Sequence, residues 1–99
     1  MTESQIPEHL ASTVALIRRA FPEGLTSELY LATLVILYPH MSDENLAEVA
    51  TIVTGRDRGQ TLNDVYSAGE GGDRIPVETL RRAQTELSAV GLDRWLLED

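Results

Sequence analysis

The chain has 99 residues, a formal charge of −8 and a sequence pI near 4.6. That length suits one ordinary domain, and the charge sets the chain against nucleic acid and anionic membrane surfaces. The absence of cysteine excludes disulfide staples and thiolate metal sites and fits a reducing compartment.

Hydrophobic residues make up 42% of the chain and aromatic residues 5%, so aliphatic side chains must fill most of the core. The eight basic residues are all arginine, a bias that GC-rich coding produces and that carries no functional reading. The opening MTESQIPEHL has neither a basic start nor an apolar stretch, so a secretory signal is not expected. The apolar run Leu34 to Tyr38 is far too short to span a bilayer. The expectation is a cytoplasmic protein with no membrane contact.

A first helix is predicted from Pro7, which suits a first turn because it has no N–H to satisfy. Leu10, Val14, Ile17 and Phe21 fall on one stripe of it, and Arg18 and Arg19 occupy its last turn, where cations favour the dipole. The turn Phe21-Pro22-Glu23-Gly24 stops it. Phe21 should reach the core, and Gly24 should take a positive φ.

Thr26 or Ser27 can cap a second helix, Glu28 to Tyr38, that is apolar almost all round and therefore central. A buried strand competes for Leu34 to Tyr38, but nothing else in the chain offers a partner strand, so a helix is preferred. Ser42 caps a third helix with Leu46, Val49, Ala50 and Val53 on its inner face, and Gly55 ends it. Gly55 to Gln60 reads as a turn. Thr61 and Asp64 then resemble a capping box for a short helix with Leu62, Val65 and Tyr66. Ala68 to Asp73, rich in glycine, is expected to be the most flexible stretch.

Pro76 opens the last long helix, with Val77, Leu80, Ala83, Leu87 and Val90 as its core face and Gly91 as its stop. Arg82 stands four residues from both Glu78 and Glu86, a spacing that permits ion pairs. In the tail from Leu92, Trp95 either closes the core or anchors a partner, and closure is preferred because exposing tryptophan is costly. The expected fold is an all-α, compact bundle of about five helices. It forms one domain over residues 1–99, with an ordered core from about 6 to 97.

No catalytic constellation is visible. His9 and His40 lack further ligands at metal spacing, the serines and threonines read as caps and helix surface, and no nucleophile elbow is present. Glu70 and Asp73 lie in a glycine-rich stretch that is a poor place to separate two carboxyl pKa values. No enzyme, metal or cofactor is expected.

Gly69, Gly71 and Gly72, with Arg56, Arg58 and Arg74 near them, could form a concavity for a small anion, although the spacing matches no phosphate-binding loop. The segment 61–91 has the rhythm of a helix-turn-helix with Arg81 and Arg82 on the second helix. Its connection is about eight residues where three or four are usual, and Glu78 and Glu86 flank the arginines, so nucleic acid is the lesser expectation. The leading expectation is a monomeric, non-enzymatic domain that binds another protein. Arg56, Arg58, Arg74, Arg81 and Arg82 are its candidate contact residues.

The run IRRAFPEGLTSELYLATLVILY, then MSDENLAEVATIV, then IPVETLRRAQTELSAVGL resembles the actinobacterial domain-of-unknown-function 3349 family. The resemblance covers about residues 10 to 95, and the Phe21 to Gly24 turn is its most specific piece. Members of that family commonly place an aromatic directly after the last glycine, where this chain has Leu92 and sets Trp95 later. The resemblance implies an all-helical fold and a mycobacterial or related source. It implies no activity and no site residue.

Overall fold

The computed structural model describes residues 6–70 and 75–97. Among these, the chain forms α1 (Glu8–Ala20), α2 (Ser27–Leu37), a 3-10 turn (Tyr38–His40), α3 (Asp43–Thr54), α4 (Arg58–Glu70), α5 (Val77–Ala89) and α6 (Leu92–Leu97). No strand occurs among the described residues, and Leu34 to Leu37 are helical. The fold is an all-α bundle with a radius of gyration of 12.4 Å, close to the roughly 13 Å of a compact domain of 100 residues.

Local sequence sets the helix starts. Thr26 accepts from the Leu29 amide at 3.2 Å and Ser42 from the Asn45 amide at 3.2 Å, so each hydroxyl satisfies a donor that its helix cannot. Gly55 closes α3 with φ 76°. The turn after α1 behaves as its residues dictate. Phe21 is only 8% exposed, its amide still bonds Ile17, and the Gly24 amide returns to the Phe21 carbonyl at 2.9 Å. Gly24 has φ 99° with no atom near the position of a Cβ, so backbone conformation rather than space requires glycine there.

α2 is central, packing on α5 and α4, while α3 packs along α4 and against α1. Its whole-round hydrophobicity follows from neighbours on several sides. Leu34, Leu37, Leu16, Leu46, Val49, Val65 and Leu87 are all buried.

Three expectations change. α4 begins at Arg58 rather than near Thr61, because Asp57 Oδ2 accepts from the amides of Gly59 at 2.9 Å and Gln60 at 3.3 Å. Thr61 is therefore inside the helix, fully buried, with its hydroxyl 2.8 Å from that of Thr51 on α3. The helix also runs on through Ala68 and Gly69 to Glu70, and the rest of the expected flexible stretch, 71–73, lies outside the described residues. On α5, Ala83 and Leu87 are buried, but Leu80 is only partly buried and Val77 is 65% exposed. The fully covered part of the stripe is narrower than the apolar pattern suggests, since Leu80 and Val90 pack against the core only in part. The tail forms a sixth helix, α6, which packs on α1 and α5.

Candidate functional site

The candidate arginines separate into distinct environments. Arg58 donates to Glu48 Oε1 at 2.7 Å and to the Glu44 carbonyl at 3.1 Å, tying the start of α4 to α3. Arg56 lies 3.4 Å from Asp64 Oδ2, and its guanidinium sits 5.6 Å from the centre of the Tyr30 ring. Both cations are held by carboxylates of the chain itself. Arg74 lies outside the described residues. Arg81 and Arg82 are exposed on α5, and neither comes within ion-pair distance of Glu78 or Glu86. Gly69 packs against the Tyr38 ring so closely that a Cβ would lie 2.5 Å from Cζ, so this glycine answers a close approach within the fold. α4 and α5 each pack on α2 more than on one another. A helix-turn-helix pair would pack its two helices together.

Tyr30, Asp64 and Arg56 form a polar cluster at the edge of the core, with Tyr30 buried, Asp64 partly buried and Arg56 exposed. Tyr30 donates its phenolic proton to Asp64 Oδ2 at 2.7 Å. Burial, reinforced by the neighbouring carboxylate, pushes the phenol well above its ordinary 10.0, and Arg56 opposes the shift more weakly. A phenol held protonated in this way is a fixed donor that ties α2 to α4, and it is unsuited to proton transfer near neutrality. Among the described residues no buried side-chain nitrogen or oxygen lacks a partner, and no group of three or more His, Asp or Glu is placed to share a metal ion.

A different region has the shape of a binding site. α6 swings back along α1 so that Trp95 Nε1 donates to Thr13 Oγ1 at 2.9 Å. Arg19, near the end of α1, donates to the Val90 carbonyl at 3.1 Å and so braces the α5–α6 junction. The His40 ring meets Trp95 edge-on, with centroids 6.3 Å apart and planes at 89°. Trp95 and Ser12 consequently belong to two depressions at once. One, of about 470 Å³, is lined by residues that include His9, His40, Met41 and Asn45; the other, of about 700 Å³, by Arg19, Gly91 and Arg94 among others. Both volumes fall in the range of small-ligand sites, which is roughly 300–1,000 Å³.

This groove between α1 and α6 was not foreseen from sequence. His9, Ser12 and Arg19 share one face of α1 at helical spacing, a signal that was readable. Their partner wall depends on α6, which the tail's composition did not announce. No helix among the described residues is long and apolar enough to cross a membrane. Comparison with protein-family models, curated proteins and solved structures found no match for this chain.

Proposed function

We propose that this chain is a non-enzymatic binding module that holds another protein in the groove between α1 and α6. The observation that carries the reading is Trp95, fixed by its hydrogen bond to Thr13 and forming a wall of both depressions. Trp95 packs partly buried against the core, and a tryptophan held by a hydrogen bond offers a large apolar contact at little entropic cost, which is why this residue type dominates binding hot spots. In this reading the module works in the cytoplasm as a monomer. The resemblance to the domain-of-unknown-function 3349 family belongs to the same proposal and adds no activity to it.

A photo-crosslinking residue at Ser12 tests the reading in the native cell, with the same residue at Arg82 on α5 as the comparison. The proposal expects one discrete protein adduct from position 12 and none from position 82. Adducts from neither position, or from position 82 alone, contradict it.

The exposure of Arg81 and Arg82 favours a second reading, in which α5 meets nucleic acid. The net charge of −8 opposes it, because phosphate attraction would have to be local. A gel shift of random duplex DNA at low micromolar protein, weakened by Arg82→Ala, would establish this second reading over the first.

A further inference from the structure

The groove differs from the rest of this acidic chain in its charge. The chain has 16 Asp and Glu residues, and among the described residues no Asp or Glu lines either depression. The lining instead presents Arg19 and Arg94 at one end and His9 and His40 at the other, with Trp95 and Leu96 between them. A shallower surface on the neighbouring face of α1 adds Arg18 beside Arg19, again without a carboxylate among the described residues. Glu8, Asp43, Glu44 and Asp93, each next in sequence to a lining residue, stand outside the lining.

We infer that the groove receives an acidic peptide segment of a partner protein, with its carboxylates on Arg19 and Arg94 and an apolar side chain against Trp95. The inference rests on the binding-module reading and names the chemistry of its partner.

Charge complementarity carries the argument. Arg19 has donors beyond the one that reaches Val90, and Arg94 makes no ion pair with a described residue. Guanidinium groups match carboxylates in geometry and can hold them with paired hydrogen bonds. From His9 to Arg19, α1 rises about 15 Å at 1.5 Å per residue. An extended peptide covers that distance with about five residues. A small inorganic anion would occupy only one of the two depressions. A nucleic acid would carry its regular phosphates beyond the groove, over the acidic remainder of the surface.

Trp95 is the only tryptophan, so its emission reports on the groove directly. The probe is an acetylated nonapeptide of Asp-Glu-Leu repeats, titrated into the full chain beside its uncharged Asn-Gln-Leu counterpart. The expected result is a saturable change in emission with half-saturation below about 1 mM. It should weaken at least about tenfold in Arg94→Glu and with the uncharged peptide, and stay unchanged in Arg82→Glu. Arg94→Glu is preferred to Arg19→Glu because it leaves the Arg19 bond to Val90 in place, and circular dichroism confirms that the variant is folded.

Several outcomes overturn the inference. Equal binding of the uncharged peptide removes the acidic partner but leaves the binding-module reading standing, since the Ser12 crosslink decides that separately. The same emission change with inorganic phosphate assigns the groove to small anions, and with duplex DNA to nucleic acid. Self-association in sedimentation that Arg94→Glu abolishes assigns it to a second copy of this chain. No change with the acidic peptide up to about 1 mM removes the inference outright.

Discussion

Replacing Tyr30 by Phe tests whether the Tyr30–Asp64–Arg56 cluster ties the bundle together. The ring is 7% exposed and keeps its place in the variant, so no cavity forms and only the phenolic oxygen is lost. That oxygen donates to Asp64 at 2.7 Å. A hydrogen bond to a charged partner contributes about 1.5–3 kcal/mol. In the variant, Asp64 keeps Arg56 at 3.4 Å and a side chain 22% open to solvent, so part of the loss is recovered by water. The expected cost is therefore at the lower end, about 1–2 kcal/mol, in urea unfolding at pH 7.

The pH dependence gives a second reading of the same bond. The phenol's pKa is raised in the folded state above its ordinary 10.0. Below pH 10 neither state releases the proton, and the contribution is fully present. Above it the unfolded chain loses the proton while the folded chain keeps it, so stability falls by about 1.4 kcal/mol per pH unit from this group. The difference between the native chain and Tyr30→Phe should shrink as pH rises from about 9.5 to 11.5. Parallel curves across that window, or a loss below about 0.3 kcal/mol at pH 7, would refute the reasoning.

Leu37→Ala, at a fully buried position on α2, should cost about 2–5 kcal/mol in urea unfolding. Val77→Ala on the exposed first turn of α5 should stay within about 0.5 kcal/mol, and partly buried Leu80→Ala should fall between them. Asp57→Ala removes the acceptor that starts α4 and should cost about 0.5–2 kcal/mol, with faster amide exchange confined to the first turn of that helix. Gly24→Ala meets no steric obstacle, so its cost should be the backbone penalty alone, about 1–2 kcal/mol, visible as a lower midpoint of thermal unfolding. An unchanged midpoint would mean that the turn does not need its positive φ.

Much of the fold is readable where local chemistry decides it. The stripe Leu10, Val14, Ile17 and Phe21 is buried as its spacing implies, and Thr26, Ser42 and Gly55 end their helices as their side chains or lack of one dictate. The start of α4 was legible too, since Asp57 followed three residues later by Gln60 is itself a capping pattern, and the Thr61–Asp64 pair obscured it. What escaped depends on distant partners. Val77 is exposed and Leu80 only partly covered although both fall on the apolar stripe, and the hydroxyl of buried Thr61 is matched by Thr51 on another helix. The groove is the extreme case, because its tryptophan is fixed by a threonine 82 residues away in sequence. Helical spacing shows which side chains share a face and does not show which second helix will build the opposite wall.

The central claim is that the α1–α6 face binds an acidic partner segment. Amide NMR of the isotopically labelled chain, titrated with the Asp-Glu-Leu nonapeptide, tests it most directly. The predicted result is a set of saturable shifts confined to α1, the Tyr38–His40 turn, α6 and the Trp95 indole N–H. Shifts centred on Arg81 and Arg82 of α5, or none at millimolar peptide, would contradict the claim.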